Sequence, residues 1–431
     1  MKLSDIANIT MGQSPSSEDV YSEVVGIPLL NGPTEFTDFS PIPKQYTNNG
    51  KKFAKNGDIL FCVRGSTAGR MNFADQKFAI GRGIASIRGI NGYPTEFIRV
   101  ILENKLENIL KSSTGSTFPN ISRSQLLNLN IENINSNNAN KIGLFYKYIY
   151  TKMELNTQTN QTLEQIAQGI FKHWFIDFAP VHAKANALAR GETTEQAELA
   201  AMACLSGKAM EKITALKTQD PTTYHQLQQT AAAFPSEFVE TEMGKVPKGW
   251  EVLKFKDFVK ETKEKVGKLQ GIEEYSVGNE GIYPRKEKYK KQLAKDPSKN
   301  KLIREANIVF GMGNKEVNWG IMRDKIGSVS SAYNIFQIND INHLFLDMFI
   351  NNIPYYFRDI IKPTSRQGQT IDKEAFLEKA IYYPNKEIIN IFLEKITQIN
   401  ELSICIKSQN IYLLSIRDYL LPKLLGGEIK L

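Results

Sequence analysis

Two loops in the first third of the chain carry side chains suited to reading a nucleic acid. Arg64-Gly65-Ser66-Thr67-Ala68-Gly69-Arg70 follows the apolar run Ile59-Leu60-Phe61-Cys62-Val63, placing two guanidinium groups and two hydroxyls at a strand end. Arg82 lies in a glycine-flanked turn just after Phe78-Ala79-Ile80. Ser112-Ser113-Thr114-Gly115-Ser116-Thr117 offers hydroxyls and backbone N–H groups ahead of a helix start, a natural phosphate cradle, and Asn120 and Arg123 follow it. Arg, Asn and Gln read base edges through paired hydrogen bonds, whereas Lys, Ser and Thr mainly hold phosphates. The competing reading is structural: Ser122 caps a helix and Arg64 pairs with a nearby acid.

Catalytic chemistry is poorly represented. There is no phosphate-binding loop ending in Gly-Lys-Ser/Thr, no Asn-Pro-Pro-aromatic motif and no Gly-x-Ser-x-Gly. His173, His182, His225 and His343 show no paired spacing for zinc. His173, beside Trp174 on an apolar stripe, reads as a packed or capping residue rather than a base. Cys62, Cys204 and Cys405 are odd in number and far apart, which fits reduced, buried thiols and no metal site.

The net charge of +8 hints at a polyanionic partner. The segment from Ala183 to Ala233 balances five basic residues against five acidic ones, so the excess lies elsewhere. Its densest stretch is Arg285-Lys286-Glu287-Lys288-Tyr289-Lys290-Lys291, where Lys286 and Lys290 are candidates for phosphate. A solvated Lys-rich loop is the plainer alternative. No apolar run approaches 18 residues and Met1-Lys2-Leu3-Ser4-Asp5 carries no signal-like core, so a cytoplasmic protein with no membrane partner is expected.

The elements that must position these residues occur twice. Gly57-Asp58-Ile59-Leu60-Phe61 returns as Ala306-Asn307-Ile308-Val309-Phe310. The stretch Ser116 to Leu126 returns loosely as Arg366 to Phe376. The second copy therefore adds Asn314, Lys315, Asn318 and Arg323 near its strand loop, and Ser365, Arg366, Gln367, Gln369 and Lys373 as a second contact line. A helical stripe through Ile149, Asn160, Leu163, Ile166 and Ile170 returns as Ile399, Asn410, Leu413, Ile416 and Leu420. Each stripe predicts a helix of roughly 30 residues or more, about 45–50 Å long. The second is expected to stop at Pro422 and Gly426-Gly427. A stripe this long and narrow needs a partner, naturally the other copy, with Asn160 and Asn410 fixing register or lying at a solvated edge. The Ala-rich insert predicts helices over Glu195–Ala203 and Gly207–Leu216, with Asp220-Pro221 breaking a later one.

Asn160-Gln161-Thr162-Leu163-Glu164-Gln165-Ile166-Ala167-Gln168 running into Phe175-Ile176-Asp177-Phe178, then Phe234-Pro235-Ser236-Glu237-Phe238 to Gly249-Trp250, and Leu420-Leu421-Pro422-Lys423-Leu424-Leu425-Gly426-Gly427-Glu428-Ile429 together resemble the specificity subunit of type I restriction–modification enzymes. The resemblance covers the whole chain. It implies an α+β protein with two similar target recognition domains of mixed α/β structure, joined by a pair of long helices forming an antiparallel coiled coil. The expected layout is 1–137 for the first recognition domain, 138–178 for the first spacer helix, and 179–246 for a linker with the helical insert. The second domain would span 247–384 and the second helix with its tail 385–431. Each domain would read half of a bipartite site in double-stranded DNA, the helices spanning a gap comparable to the ~34 Å of one DNA turn. By the same resemblance the chain has no catalytic site and binds no cofactor. It docks two methyltransferase subunits and the endonuclease–translocase subunits, which carry S-adenosylmethionine, ATP and Mg²⁺. A scaffold that docks enzymes without touching DNA is the alternative. Two departures stand out: the first unit has no counterpart of Val246-Pro247-Lys248-Gly249-Trp250, which implies a trimmed edge. The second replaces Gly57-Asp58 by Ala306-Asn307 and lacks the Ser/Thr-rich run at Thr364-Ser365-Arg366.

Overall fold

The computed structural model describes residues 1–113, 119–279, 281–289, 291–312, 317–363 and 369–429. They fall into two compact units, Met1–Thr162 with Leu402–Leu431, and Leu163–Glu401. In the first unit the strands are β1 (Ala7–Met11), β2 (Ile27–Leu30), β3 (Gln45–Thr47), β4 (Phe53–Ala54), β5 (Ile59–Cys62), β6 (Met71–Phe73), β7 (Phe78–Ile80) and β8 (Ile84–Gly89). One antiparallel sheet runs β1-β8-β5-β6; the other runs β3-β2-β7-β4, with β2 and β7 parallel. The two sheets explain why β5 is apolar at every position. Ile59 and Phe61 enter one core, while Leu60 and Cys62 enter the other, so neither face meets water. Helices α1 (Thr95–Asn104), α2 (Leu106–Lys111) and α3 (Arg123–Leu127) follow, and then α4 (Ser136–Phe171). Ser122 caps α3 in a reciprocal box with Gln125, as its spacing suggests.

α4 is anchored to this domain by a buried charge. Arg99 on α1 donates to Glu103 at 2.6 Å, Tyr146 of α4 donates to the same carboxylate at 3.0 Å, and the guanidinium lies 5.5 Å from the Phe73 ring centroid. Tyr150, one turn on, packs edge-on against Phe39 and Phe73 and donates to the Phe39 carbonyl at 2.9 Å. Burial pushes the Tyr146 and Tyr150 phenols up, out of reach of ordinary pH.

In the second unit α4 ends through a π-turn, Lys172–Ile176, that buries Trp174 and Phe175. The insert is a small helical bundle: α5 (Ala179–Ala189), α6 (Thr194–Ser206), α7 (Met210–Gln219) and α8 (Pro221–Ala233). Ala201, Met202, Ile213 and Ala231 form its own core. Asp220 separates α7 from α8 and caps the latter, whose first residue is Pro221. Then come β9 (Phe238–Thr241), β10 (Gly244–Pro247), β11 (Glu251–Lys254), α9 (Phe255–Phe258), β12 (Val259–Glu261), β13 (Tyr275–Gly278), β14 (Gly281–Pro284), β15 (Lys301–Arg304), β16 (Asn307–Phe310), β17 (Trp319–Ile321), β18 (Ile326–Val329) and β19 (Asn334–Ile338). α10 (His343–Asn351), β20 (Ile361–Pro363), β21 (Gln369–Ile371), α11 (Lys373–Glu378), β22 (Ala380–Tyr383) and α12 (Lys386–Leu425) complete the chain.

The repeat read from the residues is a repeat of topology. The sheet β12-β19-β16-β17 has the order of β1-β8-β5-β6. The hairpin β13–β14 and the pair β15–β18, joined by a parallel bridge between Glu274 and Ser328, reproduce the second sheet. Central β16 again divides between two cores, with Ile308 and Phe310 in one and Val309 in the other. The altered turn keeps its geometry. Ala306 takes a left-handed φ of 61° where Gly57 has 82°. Asn307 accepts from the Arg304 N–H at 2.8 Å as Asp58 accepts from Lys55 N–H at 2.8 Å.

α4 and α12 pack antiparallel. In the first unit Leu421, Leu424 and Leu425 join the core of Ile142 and Tyr146, while Asn410 meets Asn156. In the second, Phe171 packs on Phe392. Asn410 pairs with Asn156, 3% exposed, whose amide donates to Asn410 Oδ1 at 2.8 Å. Three expectations need correction. Ile166 and Ile416 are nearly half exposed, so the packed seam is narrower than the apolar stripe. Pro422 does not end α12, which continues to Leu425 and closes at Gly427 with φ 74°. The proline ring and the carbonyl of Asp418 it leaves unbonded both belong to exposed residues, so water can satisfy that group. Of the cysteines only Cys62 is buried; Cys405 is exposed on α12.

Candidate nucleic-acid interface

In the first domain three strand ends converge because glycines let their backbones touch. Gly12, just past β1, donates to Ile84 O at 2.9 Å, and Gln13 donates to Ile80 O at 2.9 Å. Gly81, past β7, donates to Leu30 O at 2.8 Å. A Cβ on Gly12 would stand 2.2 Å from Gly81 O, and one on Gly81 would stand 2.2 Å from Asn31 Oδ1. Val63 donates to Gly83 O at 2.9 Å, which brings the start of the Arg64 loop to the same place. The result is a shallow cleft lined by Ser14, Asn31, Gln45, Arg64 and Arg82.

Arg64 is exposed and meets no acid among the described residues, so its structural reading fails. Its strand bridges Asn120, with Gly65 N–H donating to Pro119 O at 3.1 Å and Ile121 N–H to Val63 O at 2.9 Å. That bridge joins the two expected contact lines. Ser66 is exposed at the tip of the hairpin. Arg70 instead turns back, donating to Phe36 O at 3.2 Å. Arg123 donates to Ile9 O at 3.1 Å and Ser113 to Leu110 O at 2.7 Å, so both are partly committed to the fold. Ser116 and Thr117 lie outside the described residues, as do Lys290, Asn314, Lys315, Ser365, Arg366 and Gln367.

The corresponding end of the second domain has different chemistry. Lys301 donates to Tyr333 O at 2.5 Å, and Lys373 pairs with Glu261, which Lys263 approaches at 3.8 Å. Burial pushes the Lys301 ammonium down, and Lys373 and Lys263 add to that against the pull of Glu261. Gln369 belongs to β21, and Thr370 beside it accepts from Asn334 at 3.3 Å. Asn318, half-buried, donates to Val277 O at 3.4 Å. Arg323 forms an ion pair of 2.6 Å with Asp347, and Lys286 one of 2.5 Å with Glu273. The basic run is laced with aromatics: Arg285 lies 4.5 Å from the Tyr289 ring and Lys288 4.4 Å from that of Tyr283. An aromatic wall of Trp319, Tyr355 and Phe357, with Tyr355 71% exposed, also lines this domain.

Sequence reasoning missed Ser14, Asn31, Gln45 and Lys263, and met Lys301 only as a continuation of the basic run. The available signal was Gly12 together with Gly81-Arg82-Gly83, glycines at strand ends where backbones must approach closely. His173, half-buried, lies with Nε2 3.3 Å from Cys204 Sγ, consistent with a packed role.

Residues 1–165 match the family described as the type I restriction modification DNA specificity domain. The chain is 32% identical to the HindI specificity subunit of Haemophilus influenzae, over 90% of this chain and 89% of that one. The chain belongs to the specificity subunits of type I restriction enzymes. The MjaIX specificity subunit of Methanocaldococcus jannaschii is 25% identical across the full length of this chain and 93% of its own. A type I system S subunit from M. genitalium, 14% identical, shares the fold with a TM-score of 0.52 over 98% of this chain and 95% of that one. Among the described residues of this specificity subunit, no helix is long and apolar enough to cross a membrane.

Proposed function

We propose that this specificity subunit reads a bipartite, asymmetric site in double-stranded DNA, one half with each recognition domain. The observation that carries the reading is one framework used twice with different chemistry at its strand ends. Arg64, Arg82, Asn31 and Gln45 line the first copy, whereas Lys301, Lys263 and Lys373 cluster in the second. Arginines and amides suit base edges, and lysines suit phosphates. Ser66, Ser113, Asn120 and Arg123 flank the first set; Asn318, Arg323, Gln369 and Lys286 flank the second. The proposed recognition domains are 1–137 and 247–384, with α4 and α12 setting the gap.

The subunit has no catalytic site of its own and docks the enzymes that act. α12 supports this with an uncovered apolar stripe: Ile404, Ile411, Tyr412, Ile416 and Tyr419 are between 45% and 70% exposed. At 100° per residue they fall within an arc of about 140°. Such a stripe fits the helices of two methyltransferase subunits, with the endonuclease–translocase joining that core. S-adenosylmethionine, ATP and Mg²⁺ belong to those partners. The test is single-molecule methylation sequencing of DNA from cells expressing the cognate methyltransferase with and without this chain. A new motif of two short half-sites around a fixed gap is expected. No new motif from an assembled complex would favour a scaffold that does not touch DNA.

A further inference from the structure

The cleft of the first domain contains a hydrogen-bond relay that starts from a backbone N–H. The Arg82 N–H donates to Ser14 Oγ at 3.2 Å. The Ser14 hydroxyl in turn donates to Asn31 Oδ1 at 3.0 Å. With its oxygen engaged by that donor, Asn31 turns its amide nitrogen outward, and Nδ2 donates to Gln45 Oε1 at 3.0 Å. With Asn31 Nδ2 facing Gln45 Oε1, Gln45 cannot exchange its oxygen and nitrogen unless Asn31 exchanges its own. Gly81 holds the relay in place, since a Cβ there would stand 2.8 Å from Ser14 Oγ and 2.9 Å from Asn31 Cα.

The relay ends on a half-buried amide in a defined orientation. Gln45 Nε2 has no partner among the described residues, and Oε1 retains one lone pair. One donor and one acceptor side by side match the major-groove edge of adenine, where N7 accepts and the exocyclic amine donates. Guanine presents two acceptors there and repels Oε1; cytosine presents a lone donor. Arg64 and Arg82 line the same cleft, and their guanidinium groups suit guanine or phosphate. We propose that Gln45, oriented by Ser14 and Asn31, selects an adenine in the half-site read by the first domain. The inference rests on the reading of this chain as a DNA-recognition subunit and assigns it one base.

The experiment is methylation-motif sequencing with the subunit co-expressed with its cognate methyltransferase, as wild type and as Gln45→Glu, Gln45→Leu and Gly81→Ala. Glutamate keeps the acceptors but loses the donor, so Gln45→Glu should change one adenine of one half-site to cytosine. Gln45→Leu should relax that same position alone, with about 5- to 150-fold less discrimination. Gly81→Ala, which displaces Asn31, should relax the position while Gln45 itself is unchanged. Band shifts on duplexes substituted at that position should give the same order. A wild-type bipartite motif that Gln45→Glu and Gln45→Leu leave unaltered overturns the assignment to Gln45 and leaves DNA recognition standing. The absence of any wild-type motif overturns the recognition reading itself. A changed base in the half-site that varies with the second domain would overturn the assignment to the first.

Discussion

Replacing Asn410 by leucine tests what holds α4 and α12 in register. Asn156 is 3% exposed, and its amide donates to Asn410 Oδ1 at 2.8 Å. Asn410 in turn donates to Met153 O and to Thr157 Oγ1, each at 3.3 Å. In Asn410→Leu the Asn156 amide keeps only the 3.4 Å contact with Gln409 Oε1. Thr157 loses little, because its hydroxyl still donates to Met153 O at 3.0 Å. The dominant cost is one buried amide left without a good acceptor, about 1–3 kcal/mol. Asn410 is itself half-buried, so some added apolar burial by leucine offsets this, and about 1–2 kcal/mol is expected. Asn156→Leu should cost a similar amount. The double variant, with no orphaned amide, should recover most of it, giving a coupling of about 1 kcal/mol or more. Urea unfolding of the full chain, following the transition of the unit that contains both residues, measures the cycle. Additive losses, or single variants that unfold like wild type, would refute the pairing as the polar lock of the seam. Recovered stability in the double variant with a broadened gap in the methylated motif would separate stability from register.

Arg64→Ala should lower affinity for the cognate duplex by about 5- to 150-fold while sparing unrelated DNA, whereas Lys286→Ala should weaken all sequences alike and reduce the salt slope by about 0.9; titrations at several salt concentrations distinguish them. Ala306→Gly relieves a left-handed alanine costing about 1–2 kcal/mol but raises unfolded-chain entropy, so a net gain of at most about 1 kcal/mol is expected from denaturation. A loss would show that the Cβ packs usefully. Burial, the largest single cause, raises the Glu132 and Glu261 carboxyls, but the hydrogen bond and charge of Lys105 and of Lys373, with smaller contributions from neighbouring positive charges, together hold both below their ordinary 4.5. Their folded values are depressed, so the stability they contribute is present above pH 4.5 and is lost as pH falls through the folded values. Glu132→Gln should flatten that acid limb in a pH series of unfolding curves; an unchanged limb would remove the pair from the account.

Much of the architecture was legible along the chain because hydrophobic patterning is local. The apolar runs Ile59–Cys62 and Ile308–Phe310 announce strands covered on both faces, and the repeat of pattern signals a repeat of fold. The two helical stripes likewise show that α4 and α12 need a partner. The chain could also supply the residue types of a reading surface, and Arg64 and Arg82 stand exposed where the strands end. Which polar residues face one another could not be read, because that depends on loops distant in sequence. Ser14, Asn31 and Gln45 leave three different strand ends and meet only where Gly12 and Gly81 let the backbones touch. The stripe predicts that an asparagine faces its partner helix, but the antiparallel stagger decides that Asn410 meets Asn156 rather than Asn160. Arg70 has the side chain of a base reader, yet the carbonyl of Phe36 lies within its reach and takes it. A residue type states which bonds are possible, and only the folded chain brings the competing partners within hydrogen-bond range.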